Sequence, residues 1–166
     1  MAAAVILKEN SYIDGLKDSK LLSPSKRELL FEMISGAALA WSVVRIDHRD
    51  IDERGLQWAN KTALVRAIDS LSVRPDFVLS DAFPLDGLAM PRLAVVKGDR
   101  FSASIAAASI IAKVTRDRIM LEYHASFPKY RFNEHKGYAT KDHKSLLDRY
   151  GPCPIHRRCF SPIKRA

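Results

Sequence analysis

The chain has 166 residues, of which 47% are hydrophobic, a net charge of +8 at pH 7 and a pI of about 9.7. This length is sufficient for one domain with a substantial buried core. No run of residues is long and apolar enough to span a membrane, and the first seven residues are too short for a secretory signal. We therefore expect one cytoplasmic domain over residues 1–166.

The first predicted element is a strand over residues 2–7. A helix is predicted to begin at Pro24, because Ser23 is a typical N-cap and proline is favoured at the first helical position. Gly36 is expected to end this helix. A β-rich run over residues 40–46 predicts the next strand.

Two helical segments are predicted after that strand. The charged run 47–53 is interpreted as the solvated start of a short helix, since Asp and Glu favour the first turn. An amphipathic helix is predicted over residues 56–71, and Trp58 is interpreted as a core residue of that helix. The other inward-facing candidates are Leu56, Ala63, Ala67 and Ile68.

Two short apolar runs each lead to an aspartate. Residues 77–79 predict a buried strand that is followed by Asp81, and residues 93–96 predict a second one that breaks at Lys97-Gly98 before Asp99. The carboxyl ends of strands are where α/β sheets bind ligands, and two carboxylates there can share Mg²⁺ or Mn²⁺. The alternatives are a turn residue and a charge at a helix start.

A long stretch without Gly or Pro, residues 101–127, predicts a helix that packs closely through its alanines. Its predicted inward stripe is Ala103, Ala107, Ile110, Ile111, Val114 and Leu121. Asp117 lies several turns into this helix and is the main rival of the aspartate that precedes it as a metal ligand. We interpret Asp117 as structural, paired with Lys113 or Arg116. Asp86, in a turn-rich loop, is interpreted as a turn residue.

The last part of the chain is basic. Residues 126–166 contain ten Lys or Arg against three Asp or Glu, and a helix is predicted near residues 141–150. Such a segment is typical of phosphate binding, although a solvated basic tail is the common alternative. Cys153 and Cys159 match neither a redox motif nor a zinc ligand set. The aromatic residues interleaved with the basic ones are Tyr130, Phe132, Tyr138 and Phe160.

Several motifs, in order along nearly the whole chain, together resemble bacterial ribonuclease HII. They are Asp18-Ser19-Lys20, Lys97-Gly98-Asp99, the run 107–117, His135-Lys136-Gly137-Tyr138-Ala139-Thr140, Gly151-Pro152 and His156-Arg157-Arg158-Cys159-Phe160. The resemblance implies an α/β fold with a ribonuclease H-like mixed sheet flanked by helices, and a basic, helical, substrate-binding segment over residues 126–166. It also implies a metal-dependent endonuclease that cuts RNA in RNA–DNA hybrids, including single ribonucleotides embedded in DNA.

The same resemblance implies roles for individual residues. Asp81 and Asp99 would be catalytic ligands of two Mn²⁺ or Mg²⁺ ions that flank the scissile phosphate, so that cleavage leaves 3′-hydroxyl and 5′-phosphate ends. Tyr138 would stack on a ribose and bind its 2′-hydroxyl, with a half-buried loop tyrosine as the alternative. Lys20 would contact a phosphate, with an ordinary surface lysine as the alternative. The expected partners are RNA–DNA hybrid and ribonucleotide-containing duplex, with no membrane, and we expect a monomer. A patch of basic residues would hold phosphates, among them His156, Arg157, Arg158, Lys164 and Arg165.

One family motif is missing from the sequence. The family carries Asp-Glu followed by Gly-Arg-Gly on its first, central strand, and the 166 residues contain no such segment. We expect a chain that lacks this strand and two of the family's four carboxylates. Two rival functions follow, a catalytically impaired nucleic-acid-binding module and a different metal-dependent phosphotransferase on the same fold.

Overall fold

The structure is a computed structural model that describes residues 1–16, 19–161 and 163. Asp18, Lys164 and Arg165 therefore lie outside the described residues. The chain divides into two compact units, the first formed by Met1–Arg45 with Asn60–Val114 and the second by Ile46–Ala59 with Thr115–Ala166. One domain over residues 1–166, with a substrate-binding segment from residue 126, stays a prediction.

Two separate two-stranded sheets lie in the first unit. β1 (Ala2–Leu7) pairs antiparallel with β2 (Ala38–Val44), and β3 (Val78–Asp81) pairs in parallel with β4 (Arg92–Val95). Helices and small sheets of an α/β fold are thus present, but the expected mixed sheet is divided in the described residues, because β1 and β3 each pair along one edge only and do not bond to each other.

Six α-helices are present in the described residues, and the first two begin at capping residues. The first begins with Ser23 capping the amide of Lys26, and it runs one residue past Gly36. The second is capped by Asp47, whose carboxylate accepts a hydrogen bond from the amide of Arg49 at 2.9 Å. The helices are α1 (Pro24–Ala37), α2 (His48–Arg54), α3 (Leu56–Asp69), α4 (Ala103–Ser126), α5 (Phe132–His135) and α6 (Lys141–Tyr150). None of the helices in this part of the chain is both long and apolar enough to cross a membrane.

The core of the first unit forms between α1 and the early turns of α4. Its fully buried side chains are Leu30, Ile34, Ala107, Ile110 and Ile111. Four of the six residues of the predicted α4 stripe are buried, whereas Ala103 and Leu121 are exposed, because the core contacts only the turns between them. On α3 the prediction fails at Leu56, which is exposed at the first position of the helix, and Trp58 is only half-buried.

The strands that carry the two aspartates are less buried than predicted. Phe77 is 52% exposed and Leu93 is 54% exposed, whereas Val78 and Ser80 are buried. Successive side chains of a strand point to opposite faces, so β3 buries one face and leaves the other in solvent. Asp81 therefore lies at the end of a strand that is exposed on one face.

Candidate functional site

Asp81 lies at the carboxyl end of one of two paired parallel strands, and Asp99 lies just beyond the carboxyl end of the other. Asp81 is the last residue of β3 and lies opposite Val95 of β4. Its Oδ1 accepts a hydrogen bond from the backbone N–H of Gly98 at 2.9 Å, and Asp99 is the next residue along the chain, in a single 3₁₀ turn. The parallel pairing therefore brings the two aspartate-bearing segments into direct contact, with Asp81 exposed and Asp99 half-buried.

The backbone at both strand ends adopts the left-handed conformation. Ala82, which follows Asp81, has φ 61°, and Lys97, which precedes Gly98, has φ 57°. A residue with a Cβ in this region carries strain of roughly 1–2 kcal/mol, which the surrounding contacts must offset. The amide of Ala82 donates to the carbonyl of Val95 at 3.0 Å, and this bond fixes the first of the two turns.

Gly98 permits the close packing beneath this junction. A Cβ at Gly98 would collide with the side chain of Ile105, and it would also lie 3.4 Å from the Cβ of Val95. Gly98 is buried, and its φ lies outside the left-handed region, so the requirement for glycine is space rather than conformation. The sequence pattern indicates only a break at this position.

The donors at the junction suit part of a divalent-cation site. Carboxylate oxygens are the ligands that Mg²⁺ and Mn²⁺ prefer in proteins. Within residues 1–16, 19–161 and 163, however, no group of three or more His, Cys, Asp or Glu side chains is arranged to hold a metal. Asp81 and Asp99 are therefore too few by themselves to form a metal site among the described residues.

Neither of the other two aspartates that the sequence singled out is built into this junction. Asp86 lies in an exposed turn next to Gly87, whose φ is 85°. Asp117 belongs to the second unit, where its Oδ1 lies 4.0 Å from Nη1 of Arg116. This ion pair is one of the two pairings proposed for Asp117 from the sequence.

A groove of about 610 Å³ runs between β1 and β3 within the first unit. Its walls include the β1 strand, the segment 73–81 and residues 104–112 of α4, and Asp81 belongs to its lining. Residues of β1 and β3 line the groove, and each of these strands pairs along one edge only in the described residues.

The two substrate-binding candidates are both exposed. Tyr138 is 53% exposed and follows Gly137, whose φ is 75°. The guanidinium of Arg116 lies over the Tyr138 ring, with its carbon 4.6 Å from the ring centroid. Lys20 lies in the first unit, exposed, in the 3₁₀ turn Ser19–Leu21.

Three buried histidines form a cluster next to Tyr138 that the sequence did not predict, although His135 and His156 each begin a family-like motif. The rings of His135 and His143 are stacked with centroids 4.1 Å apart, and Nε2 of His143 lies 3.2 Å from Nε2 of His156. Nδ1 of His143 bonds the carbonyl of Tyr138 at 3.0 Å, and the amide of Tyr138 donates to the carbonyl of His135 at 2.9 Å. The backbone of Tyr138 is thus held on both sides by these residues, which we call the histidine triad.

Burial sets the charge state of two members of the histidine triad, His143 and His156. Burial, followed by the positive charge of a protonated His143, lowers the pKa of His156 to about 4. Burial also lowers the pKa of His143, against the opposing effect of its hydrogen bond to the Tyr138 carbonyl. Both rings are therefore neutral at pH 7, which is the state that the hydrogen bonds between them require. The expectation that His156 belongs to a phosphate-holding patch is wrong, because its ring is buried against the other histidines.

A further contact that the sequence did not predict joins Asp52 of α2 to the segment at Arg158 and Cys159. Both carboxylate oxygens of Asp52 accept backbone hydrogen bonds, from Arg158 at 2.9 Å and from Cys159 at 3.0 Å. The charged run that contains Asp52 is therefore not simply the solvated helix start that its composition predicts. The partners of Asp52 lie at the other end of the chain, so no local pattern could have revealed the contact.

Comparison with known proteins identifies the relatives of this chain. The family model for Ribonuclease HII matches residues 1–163. The ribonuclease HII of Acidothermus cellulolyticus is 52% identical over 168 aligned residues, which cover all of this chain but 55% of that protein. That of Idiomarina loihiensis is 47% identical over 165 residues, which cover 99% of this chain and 88% of that protein. The chain thus spans a little over half the length of some curated relatives.

Solved structures give the same answer for the fold. The ribonuclease H2 from Pyrococcus horikoshii OT3 superposes with a TM-score of 0.75 at 27% identity, over 91% of this chain and 79% of that one. Ribonuclease HII in its complex with PCNA from Archaeoglobus fulgidus gives a TM-score of 0.71 at 24% identity, over 86% of this chain and 76% of that one, and supports the fold alone. The family model matches residues 1–163, and the alignment with the Idiomarina loihiensis protein covers most of both chains. These two findings establish that the chain belongs to the ribonuclease HII family.

Proposed function

We propose that this chain contributes to a metal-dependent endonuclease that hydrolyses RNA in RNA–DNA hybrids, including single ribonucleotides embedded in DNA. The products are 3′-hydroxyl and 5′-phosphate ends. The observation that carries the proposal is the contact between the two strand ends, in which Gly98 N–H donates to Asp81 Oδ1 at 2.9 Å and Asp99 follows directly. Family membership supports the same reaction.

On this proposal, Asp81 and Asp99 hold Mg²⁺ or Mn²⁺ through their carboxylate oxygens. Bound divalent ions supply an activated water and stabilise the leaving oxygen in phosphodiester hydrolysis. Gly98 fixes the orientation of the Asp81 carboxylate by its hydrogen bond. Because Asp81 is exposed on a partly solvated sheet, a phosphodiester can approach it without a large rearrangement.

The remaining carboxylates belong, on the same proposal, to a strand that carries Asp-Glu-x-Gly-Arg-Gly and adds between β1 and β3. The groove of about 610 Å³ that has Asp81 in its lining supports this position. So do the two strand edges without a partner in the described residues, because unpaired backbone groups are costly when buried and promote association when exposed.

Substrate recognition is assigned to the exposed residues. Tyr138 offers its ring to a ribose and its hydroxyl to the 2′-hydroxyl, the group that distinguishes RNA from DNA. Lys20 and the basic residues of segment 126–166 contact phosphates. The exposure of Tyr138 and Lys20 supports these roles.

The test uses the chain preceded by a segment that contains Asp-Glu-x-Gly-Arg-Gly, which we call the extended chain. It is assayed with Mn²⁺ and with Mg²⁺ on RNA–DNA hybrid and on DNA that contains one ribonucleotide, with the ends of the products identified. Asp81→Asn and Asp99→Asn should each abolish cleavage and reduce metal binding in calorimetry, whereas Asp117→Asn, the matched control, should retain both.

Two outcomes contradict the proposal. Cleavage that survives both Asp81→Asn and Asp99→Asn but is lost in Asp117→Asn would mean that the ligands are assigned to the wrong aspartates. Hybrid binding without cleavage by the extended chain would favour the nucleic-acid-binding module instead.

A further inference from the structure

We propose that His143 is a positioning residue for ribose recognition, because its buried ring holds the backbone of the exposed residue Tyr138 in one conformation. The inference rests on the proposed function, which assigns the contact with the ribose to Tyr138. His143 is only 6% exposed, so it acts through Tyr138 rather than by touching the nucleic acid.

Tyr138 lies in a short loop whose backbone needs support. The loop joins α5 to α6 over residues 136–140, and its first two residues, Lys136 and Gly137, have φ 49° and 75°. Lys136 carries a Cβ in the left-handed region, which costs free energy that the surrounding contacts must offset. The ring of Tyr138 leaves this loop with 53% of the residue exposed, so its direction depends largely on the backbone that carries it.

Both peptide groups that flank the Cα of Tyr138 are bonded to the histidine triad. The amide of Tyr138 donates to the carbonyl of His135 at 2.9 Å, and its carbonyl accepts from Nδ1 of His143 at 3.0 Å. The same carbonyl accepts from the amide of Thr140 at 2.8 Å, which occupies its second lone pair. Because both peptide planes are fixed, φ and ψ of Tyr138 are fixed, and so is the direction of its Cα–Cβ bond.

The start of α6 brings the His143 ring to this carbonyl. Thr140 is the N-cap, and its hydroxyl oxygen accepts from the amide of His143 at 3.2 Å, so His143 is the third residue of the helix. In a capping box the third residue is Glu or Gln, whose side chain accepts from the amide of the cap. His143 instead donates, to a carbonyl two residues before the cap. A carboxylate at this position could not make that bond, so the residue type suits the loop rather than the helix start.

The other two members of the triad hold His143 in the tautomer that this bond requires. A carbonyl only accepts, so Nδ1 of His143 carries the proton, and its Nε2 accepts from Nε2 of His156 at 3.2 Å. These proton positions are inferred from the partners. His135 stacks on the His143 ring with centroids 4.1 Å apart, and its own Nδ1 accepts from the amide of Gly137 at 3.1 Å. The triad therefore binds the loop at two successive residues and orients His143 from two sides.

The alternative role for His143 is packing in the core of the second unit. Its ring lies edge-on to that of Phe132, with centroids 5.8 Å apart. Packing requires the volume of the side chain and its contact with His156, but not the donor at Nδ1. The two roles can be separated, because the side-chain amide nitrogen of Asn lies near the Nδ1 position of a histidine and that of Gln lies near the Nε2 position.

The experiment compares His143→Asn with His143→Gln in the 166-residue chain. Affinities for a fluorescent RNA–DNA hybrid and for the DNA duplex of the same sequence are measured by anisotropy in EDTA at one salt concentration. His143→Gln loses the donor to Tyr138 and should reduce the ratio of hybrid affinity to duplex affinity by about three- to tenfold, the effect of one hydrogen bond. His143→Asn keeps the donor and should keep this ratio within about twofold of that of the unmodified chain.

Tyr130→Phe is the matched control. The hydroxyl of Tyr130 donates to the carbonyl of Gly151 at 2.7 Å in the same core. This variant also loses a hydrogen bond to a backbone carbonyl, but not one to Tyr138. It should lower the melting temperature and leave the affinity ratio unchanged.

Two results of the binding experiment overturn the proposal in favour of packing alone. One is an unchanged ratio in His143→Gln, and the other is an equal loss in both variants of His143. If His143→Gln does not melt cooperatively, His143→Asn and the unmodified chain decide. Loss of the ratio in a folded His143→Asn overturns the proposal. So does ¹⁵N NMR of the unmodified chain that places the proton of His143 on Nε2 instead of Nδ1.

Failure of this inference can be distinguished from failure of the proposed function. If the unmodified chain does not prefer hybrid to duplex, the ribose contact of Tyr138 fails, and the effect of His143 on Tyr138 is then measured by ¹⁵N relaxation. The order parameter of the Tyr138 amide should fall in His143→Gln but not in His143→Asn or Tyr130→Phe. An unchanged order parameter in His143→Gln overturns the positioning role.

Discussion

The Nε2 atoms of His143 and His156 lie 3.2 Å apart, and only one of them can carry the proton that joins them. Nδ1 of His156 accepts from the amide of Cys153 at 3.0 Å, so its proton lies on Nε2 and points to His143. His143 must then carry its own proton on Nδ1, where it donates to the carbonyl of Tyr138. The proton positions, inferred from these partners, are therefore consistent only when both rings are neutral.

This arrangement predicts that the protein loses stability as the pH is lowered from about 6.5 to about 4. The pKa of His156 is about 4 in the folded state, against 6.5 for an unperturbed histidine. Between these values the unfolded state binds more protons than the folded state, so stability is full above pH 6.5 and is lost as pH falls towards 4. The loss amounts to roughly 3 kcal/mol for this one group.

The measurement is the free energy of unfolding in urea at several pH values between 7.5 and 4.5. His156→Gln keeps a donor near the Nε2 position but cannot be protonated, so the difference between the unmodified chain and the variant isolates the histidine from the carboxylates. The two curves should converge as pH falls. Parallel curves would show that His156 does not titrate as its burial requires.

Gly98→Ala should disrupt the aspartate junction. The added Cβ collides with the side chain of Ile105, so the loop that donates to Asp81 must move. Overpacking of this kind is expected to destabilise by about 1–3 kcal/mol. Cleavage by the extended chain should fall more than stability alone explains, because the position of Asp99 depends on the same loop.

The matched control is Gly36→Ala. Gly36 lies in α1, and a Cβ added there would have no atom within 4 Å, so alanine should be neutral or stabilising by up to about 1 kcal/mol. Thermal melts compare the two variants. A double variant with Ile105→Ala should recover part of the activity lost in Gly98→Ala, and recovery of none would mean that Ile105 is not the obstruction.

Tyr138 is predicted to contribute to the preference for ribose. Tyr138→Phe keeps the ring beneath Arg116 but removes the hydroxyl, so it should reduce the preference for RNA–DNA hybrid over DNA duplex while leaving duplex affinity nearly unchanged. Tyr138→Ala removes the stack as well and should weaken hybrid binding by about 1–3 kcal/mol. Equal losses on the two substrates would identify Tyr138 as a general contact.

Local signals predicted many of the elements, and the strand ends predicted that the segments of Asp81 and Asp99 lie side by side. The start of α1 after the Ser23 cap came directly from helix-terminus preferences, and the helix predicted near residues 141–150 is α6. The exposure of Phe77 and Leu93 could not be predicted, because an apolar run does not reveal whether a neighbouring element covers it.

The histidine triad and the stacking of Arg116 on Tyr138 could not be predicted from the sequence alone either. His135, His143 and His156 come from α5, α6 and the turn beyond it, and the motifs that begin with His135 and His156 do not show that the three rings meet. Arg116 lies in a charged stretch of α4 whose sequence resembles that of an ordinary solvent-exposed helical turn. Such contacts are determined by tertiary packing, which periodicity and propensity do not encode.

The groove between β1 and β3 gives the last prediction, which concerns the strand proposed to fill it. In the 166-residue chain, one edge of each strand lacks a strand partner in the described residues, and the space beside Asp81 measures about 610 Å³. A strand there would pair with both edges and bury apolar surface against α4. The extended chain should therefore melt more cooperatively and at a higher temperature than the 166-residue chain.

The same strand is predicted to complete the metal site, so the two chains should also differ in activity. With Mn²⁺ on DNA that contains one ribonucleotide, the extended chain should cut and the 166-residue chain should cut poorly, because two carboxylates cannot hold two ions in the geometry that in-line attack requires. The control is an extended chain in which Asp-Glu is replaced by Asn-Gln: it should regain the stability without the activity. Comparable turnover by the 166-residue chain would mean that Asp81 and Asp99 are sufficient with a carboxylate dismissed above, such as Asp86 or Asp117.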